Sequence, residues 1–183
     1  MIIGKRIRLR AVEKEDLPLF VQWLNDPEII AGLMMYTPLS VADENRWFEK
    51  IQDHIPEERP LAIEILQENS WRLAGNSEFH EISLSNHSAE IGIFIGDKSI
   101  WDLGYGTEAM QLLLKHGFES LNLHRIFLRV YETNLRAIHV YEKVGFIHEG
   151  RLRQARYKNG KYMDELFMGI LRSEWEAKRL LEE

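Results

Sequence analysis

The sequence predicts an α/β fold of the α+β kind, in which helices cover both faces of a mixed sheet. Three features support this prediction: three strands follow one another in mid-chain, a strand–loop–helix–strand–helix unit comes next, and a long hairpin comes last. Antiparallel neighbours need only short turns, whereas a strand that returns after a helix can pair in parallel, so both kinds of pair are expected. The 183 residues contain no linker, repeat or low-complexity tract, and a single domain over residues 1–183 is therefore expected.

Strands are predicted where polar and apolar residues alternate, or where β-branched and aromatic residues cluster. The predicted strands are residues 5–9, 61–66, 71–82, 89–95 and 125–131, and the two halves of a hairpin within residues 146–170. The hairpin should turn at Lys158-Asn159-Gly160-Lys161, because Asn-Gly adopts the two positive φ angles of a tight turn. The strands at 89–95 and 125–131 are expected to separate near the loop after the first of them, where unpaired backbone groups can bind a ligand.

Helices are predicted where apolar residues recur three and four positions apart. These segments are residues 17–24, 40–53, 107–121, 134–144 and 172–181. Ser40 and Asp43 should cap the second of these helices, and Gly145 should end the fourth. The apolar segment between Pro27 and Pro38 is expected to form a short helix packed on the core, with a flexible, Met-rich pocket wall as the alternative.

The composition, 45% hydrophobic and 28% charged, is typical of a globular protein. Because the chain has no Cys, a disulfide, a thiolate metal site and a cysteine nucleophile are excluded, and no metal site is expected. The sequence has neither an apolar run of about 18 residues nor a signal peptide, so we expect a cytoplasmic protein without a membrane partner. The net charge of −6 disfavours direct nucleic-acid binding and fits a cationic substrate somewhat better.

A glycine pair, Gly104-Tyr105-Gly106, lies between the strand at 89–95 and a helix expected to open at Thr107. The first amide groups of a helix have no internal partner and carry partial positive charge, and glycine lets a ligand approach the backbone closely. A phosphate could therefore bind here, although two nearby glycines more often form an ordinary turn. The sequence lacks the Lys-Ser/Thr pair of the nucleotide-triphosphate loop, and the dinucleotide pattern is weakened because Ala109 replaces its third glycine.

Two segments about thirty residues apart, WDLGYGTEA (Trp101 to Ala109) and NLRAIHVYEKVGF (Asn134 to Phe146), resemble the acetyl-CoA motifs of the GNAT-family acetyltransferases. The resemblance covers nearly the whole chain. The segment GRLRQARYKNGKYMDELFM (Gly150 to Met168) is similar to the branch that contains ribosomal-protein N-terminal and spermidine acetyltransferases. One departure is Trp101, which stands where the family often has Gln or Arg. The resemblance therefore leaves one side-chain contact to the phosphate open, while the backbone contacts are still expected.

The resemblance implies a mostly antiparallel sheet of six to seven strands, splayed at its centre, and an enzyme that moves an acetyl group from acetyl-CoA to a primary amine. A protein N-terminus, a polyamine or another small amine could be the acceptor. By this resemblance the pyrophosphate would bind the backbone of Trp101, Asp102, Leu103, Gly104, Tyr105, Gly106 and Thr107. A backbone N–H near Phe94 or Ile95 would polarise the carbonyl. Asn134 would bind the pantetheine arm, and Tyr141 would be the general acid.

Some assignments have ordinary alternatives. Asn134 could simply cap a helix, and Tyr141 could be a packed core residue. Glu90 is the expected general base, with Glu78, His80 or a chain of water molecules as alternatives. A non-catalytic acyl-CoA-binding or interaction module on the same fold is the competing function, and retention of both Asn134 and Tyr141 argues against it. The exposed edges of the last hairpin could also pair in a homodimer.

Overall fold

The computed structural model describes residues 1–182, which fall into two compact units. The first unit contains Met1–Phe79 and Gly92–Leu112, and the second contains His80–Ile91 and the chain from Leu113 onward. Within residues 1–182 no helix has the length and the apolar run needed to cross a bilayer.

Eight strands form a mixed sheet in the hydrogen-bonding order β1-β2-β3-β4-β5-β6-β8-β7. Their bounds are Ile2–Ile3, Ile7–Ala11, Leu61–Gln67, Ser70–Ser83, Ser88–Ile95, Arg125–Tyr131, Ile147–Lys158 and Lys161–Leu171 for β1 to β8. The pairs β1–β2, β2–β3, β3–β4, β6–β8 and β7–β8 are antiparallel, and β5 pairs with β6 in parallel. The mixed, mostly antiparallel sheet is confirmed. The strand count exceeds the predicted six to seven because β1, two residues long, is too short for its alternation to be recognised.

Six α-helices accompany the sheet in the described residues. Their bounds are Leu17–Trp23, Pro27–Ile30, Val41–Ile51, Tyr105–Lys115, Leu135–Val144 and Arg172–Glu182 for α1 to α6. The predicted caps are confirmed: Ser40 and Asp43 form a capping box before α3, and Gly145, at φ +111°, ends α5 in the left-handed region. Helix α4 begins at Tyr105 and not at Thr107, because Gly104, at φ +84°, turns the chain directly into the helix.

The core of the first unit is strongly aromatic. Phe20 on α1 is 1% exposed, and its ring lies 6.0 Å from the ring of Phe94, 6.2 Å from that of Trp23 and 6.2 Å from that of Trp47. Tilted and edge-to-face pairs at this spacing are favourable beyond the area that they bury. We call these four residues the aromatic cluster. It connects α1 and α3 to the end of β5.

In the second unit, β5 and β6 pair over only three residue pairs, from Ser88 with Arg125 to Glu90 with Phe127. Strand β6 stays paired with β8 over its whole length, up to Tyr131 with Glu165. The other edge of β6 is therefore not paired with β5 from Leu128 onward. This early end of the parallel pairing agrees with the expected splaying of the sheet.

Candidate active site

The glycine turn before α4 has two residues in the left-handed region, Asp102 at φ +61° and Gly104 at φ +84°. Glu108 is the first residue of the helix whose amide donates to a carbonyl of the turn, that of Gly104 at 3.1 Å. The amides of the three preceding residues donate to no backbone carbonyl within residues 1–182. These residues are Tyr105, Gly106 and Thr107. Three such donors at a helix N-terminus are suited to binding an anion.

Arg6, just before β2, contacts this turn and the first residues of α4. Its amide donates to Glu108 Oε1 at 2.6 Å, and its Nε donates to Glu108 Oε2 at 2.9 Å. Its Nη1 donates to the carbonyl of Leu103 at 3.3 Å, and its guanidinium lies 4.4 Å from the centre of the Tyr105 ring. The pairing also compensates the charge of Glu108, which would otherwise repel an anion bound one turn away. Arg6 therefore both shapes the turn and improves its electrostatics. No local sequence pattern indicates this role, because Arg6 and Glu108 are 102 positions apart.

Trp101 ties the turn to the end of β5, since its indole Nε1 donates to the carbonyl of Ile95 at 3.0 Å. This contact gives the departure from the family pattern a structural role. The neighbouring Phe94 packs its ring in the aromatic cluster, while its backbone passes very close to Gly75 on β4. A Cβ at Gly75 would lie 2.1 Å from the carbonyl oxygen of Phe94, so only glycine fits there. Trp101 thus fixes the position of Ile95, and the close approach to Gly75 fixes that of Phe94.

Asn134 is the N-cap of α5, and its Oδ1 accepts a hydrogen bond from the amide of Ala137 at 3.3 Å. The helix-cap alternative is therefore realised. The side-chain NH₂ of Asn134 makes no hydrogen bond within residues 1–182. It stays available as a donor to an amide carbonyl, so a cap and a cofactor contact are compatible in one side chain.

Tyr141 is buried, 8% exposed, with its ring 5.9 Å from that of Phe146. Burial raises the pKa of Tyr141 to about 12, because the phenolate would lose its hydration. Its hydroxyl makes no hydrogen bond within residues 1–182. Among these residues no fully buried side-chain nitrogen or oxygen lacks a partner, so the hydroxyl must retain some accessible surface. Tyr141 is therefore a protonated phenol whose hydroxyl has no protein partner in the described residues.

Glu90, the expected base, forms a two-point ion pair. Its Oε1 and Oε2 accept hydrogen bonds from Arg129 Nε and Nη2, both at 2.8 Å. The pair raises the pKa of Arg129. With both carboxylate oxygens bonded to a guanidinium, Glu90 is better suited to joining β5 to β6 than to taking a proton. The alternatives Glu78 and His80 lie half-buried on β4, and each has partners of its own.

Glu44 on α3 is a buried carboxyl that the sequence analysis did not select. It is 5% exposed, and burial together with the neighbouring charge of Asp43 raises the pKa of Glu44 to about 7. The folded state therefore holds this proton more tightly than the unfolded chain, and ionisation costs stability as pH rises from about 4.5 to about 7. A signal was present: Glu44 occupies the position that completes the stripe of Trp47, Phe48 and Ile51.

Comparisons with known proteins place the chain in a family. The family described as "Acetyltransferase (GNAT) domain" matches residues 6–147. The chain therefore belongs to the GNAT acetyltransferases, and it is an acetyl-CoA-dependent N-acetyltransferase.

Among its relatives, the spermidine N(1)-acetyltransferase of Vibrio cholerae is 33% identical over 173 residues, which cover 94% of this chain and 97% of that protein. YdaF of Bacillus subtilis, named as a candidate ribosomal N-acetyltransferase, is 33% identical over 107 residues, 58% of each chain. The crystal structure of the Vibrio cholerae spermidine N-acetyltransferase in complex with CoA and spermine is similar with a TM-score of 0.85 at 31% identity. That match covers 94% of this chain and 99% of the other. The predicted fold, enzyme class and acetyl donor are confirmed.

The contacts of Arg6 predict a specific defect in donor binding. Arg6→Lys removes the fork that bonds Glu108 and the carbonyl of Leu103, so the turn should lose its shape and α4 its charge compensation. We expect the KM for acetyl-CoA to rise about fivefold, or about 1 kcal/mol, with little change in kcat. Steady-state kinetics against acetyl-CoA measure this effect.

The control is Arg179→Lys, which alters the exposed pair of Arg179 with Glu119 on another part of the chain. It should leave the KM for acetyl-CoA unchanged. An unchanged KM in Arg6→Lys as well would show that Arg6 does not support the donor site.

Proposed function

We propose that this acetyltransferase transfers the acetyl group directly to a primary amine, and that a polyamine is the preferred acceptor. The three unbonded amides at the start of α4, held by Arg6, are the observation that carries the donor half of this proposal. Two findings support the acceptor. The spermidine acetyltransferase of Vibrio cholerae matches 94% of this chain, and the net charge of −6 favours a cationic substrate.

On the donor side, the amides from Trp101 to Thr107 bind the pyrophosphate in this proposal. The NH₂ of Asn134 donates to the pantetheine arm, and a backbone N–H at Phe94 or Ile95 polarises the thioester carbonyl. Backbone donors suit both tasks because they are oriented by the fold and need no reorganisation during the reaction.

Tyr141 is the general acid in this proposal. Amide formation expels a thiolate, which must gain a proton, and the raised pKa of Tyr141 keeps its phenol protonated over the whole physiological range. The lack of a hydrogen-bond partner for its hydroxyl within residues 1–182 supports the assignment.

The other parts of the proposal concern the protein as a whole. Residues 1–183 act as one acetyltransferase domain in the cytoplasm, without direct contact to nucleic acid or membrane. A homodimer is the proposed assembly. Strand β7 supports it, because this edge strand exposes Ile147 and Leu152, which are 52% and 48% exposed.

The acceptor is tested by measuring CoA release with a panel of amines. The panel contains spermidine, spermine, an amino sugar, and peptides that begin with Ala or Ser. We expect spermidine and spermine to stimulate release most strongly. If a peptide stimulated release most strongly, the acceptor would be a protein N-terminus and not a polyamine. Tight acetyl-CoA binding without stimulated release by any amine would instead support a non-catalytic acyl-CoA-binding module.

Tyr141→Phe should lower kcat by about 10² to 10⁴, the usual contribution of a general acid, because the variant has no proton to give. The affinity for acetyl-CoA, measured by calorimetric titration, should not change. Tyr157→Phe is the control, because it removes the hydroxyl of a tyrosine that is 55% exposed on the last hairpin. Full turnover in Tyr141→Phe would contradict its role as the acid.

Two substitutions separate the two roles of Asn134. Asn134→Asp keeps an oxygen that accepts from the amide of Ala137 but removes the NH₂ donor, so the KM for acetyl-CoA should rise while the unfolding temperature is retained. Asn134→Ala removes both groups and should also cost about 1 kcal/mol of stability, the usual effect of a lost N-cap. Equal KM values in the wild type and Asn134→Asp would leave Asn134 with the cap alone.

A further inference from the structure

Glu44 stands on the buried face of α3, where an apolar residue is expected. Trp47, Phe48 and Ile51 lie three, four and seven positions further along the same face. Through Trp47 this face contacts the aromatic cluster, since the ring of Trp47 lies 6.2 Å from that of Phe20, edge to face. A carboxyl at such a position loses most of its hydration, which is unfavourable unless the group has a task.

The carboxyl of Glu44 has no hydrogen bond or ion pair within residues 1–182. In the same part of the chain, no fully buried side-chain oxygen lacks a partner, so the carboxyl oxygens retain some accessible surface. Glu44 thus combines a buried side chain with a carboxyl group that has no protein partner in the described residues. Glu90, by contrast, has both oxygens bonded to Arg129.

The aromatic cluster leads from α3 to the end of β5. Phe20 contacts Trp47 on one side and Phe94 on the other, with ring centres 6.0 Å apart in the second pair. Phe94 is one of the two residues whose backbone is proposed to polarise the acetyl carbonyl. Trp23 and Trp47 are only partly buried, and their ring faces attract cations. The first unit therefore contains an unpaired carboxyl and partly buried aromatic rings on the same helix, α3, whose Trp47 contacts Phe20.

We infer that Glu44 is the general base, which binds the ammonium group of the acceptor and takes its proton. This inference rests on the proposed function and deepens it by naming the base. Glu44 takes one proton from the ammonium, and the free amine forms a bond to the carbonyl carbon while the carbon–sulfur bond breaks. In the net balance of the step, the second proton of the nitrogen passes through water to the departing sulfur. Glu44 then releases its proton to solvent.

Helix α3 packs on α1, and most other charged groups of the first unit that could compete with Glu44 are engaged in pairs. Helix α1, from Leu17 to Trp23, has no ionisable side chain. The paired groups are Asp43 with Ser40 and Arg46, Asp16 with Arg10, Glu64 with Arg8 and Arg10, and Arg72 with Asp97. Glu49 and Lys50 of α3 are exposed to solvent, so Glu44 is the buried carboxyl of this helix whose ionisation should respond to an incoming ammonium.

The test compares Glu44→Gln with the wild type, using the panel amine that is turned over fastest, which we expect to be spermidine. We expect kcat/KM for the amine to fall by about 10² to 10⁴, while the affinity for acetyl-CoA is unchanged. Between about pH 5.5 and 8.5, the wild type should lose activity toward acid with a midpoint near 7, and the variant should lack this limb. Glu44→Asp should restore part of the rate.

Three controls separate a base from a structural residue. Glu49→Gln makes the same change on the exposed side of α3 and should behave as the wild type. Glu90→Gln should keep the acid limb, because Glu90 pairs with Arg129. Glu44→Gln should unfold at a temperature at least as high as the wild type at pH 8, since it no longer buries a charge, so a loss of rate cannot be attributed to unfolding.

The outcomes are distinct. A rate and a pH profile in Glu44→Gln equal to those of Glu49→Gln would overturn the inference and leave the proposed function intact. If Glu90→Gln lost the acid limb of the pH profile and Glu44→Gln kept it, the inference would be overturned in favour of Glu90 as the base. A wild type that releases no CoA with any amine of the panel would overturn both the inference and the proposed function.

Discussion

The hydrogen bonds of Arg6 to Glu108 and to the carbonyl of Leu103 are the constraint on which the proposed donor site depends. A turn with two left-handed residues has little preference for one shape by itself, and the acidic Glu108 at the start of α4 would oppose an anion. Arg6 resolves both problems through one planar group that bonds Glu108, the carbonyl of Leu103 and the face of Tyr105. The first amides of the helix are then presented in a fixed array and with favourable charge.

The candidate functional side chains share one property: each has a polar group that the fold leaves without a partner. The hydroxyl of Tyr141, the NH₂ of Asn134 and the carboxyl of Glu44 all lack a hydrogen bond within the part of the chain that the structure describes. A polar group without a protein partner can form a hydrogen bond with a ligand. Burial also raises the pKa of Tyr141 to about 12, which keeps its phenol protonated, and that of Glu44 to about 7, which makes its carboxylate a stronger base.

Other carboxylates in the protein differ from Glu44 because they are bonded to arginines. Glu90 with Arg129 and Arg125 with Glu149 are both two-point pairs, and both act within the second unit where strands must be held in register. A carboxylate engaged in this way contributes to the positioning of strands. This distinction decides between acids that are equivalent in the sequence, because strand alternation placed Glu90 beside the expected site without revealing that Arg129, 39 positions later, would bond it.

The sequence by itself determined the local elements, the family and the donor. Strand β6 was predicted with its observed bounds, and the caps Ser40, Asn134 and Gly145 were recognisable, because side-chain periodicity and capping act over a few neighbouring residues. Only the tertiary structure decided that Arg6 supports the glycine turn, that Glu90 is paired and that Glu44 is not. Partners of a charged side chain come from distant parts of the chain, and its hydration depends on everything packed around it, so neither is encoded in a local pattern.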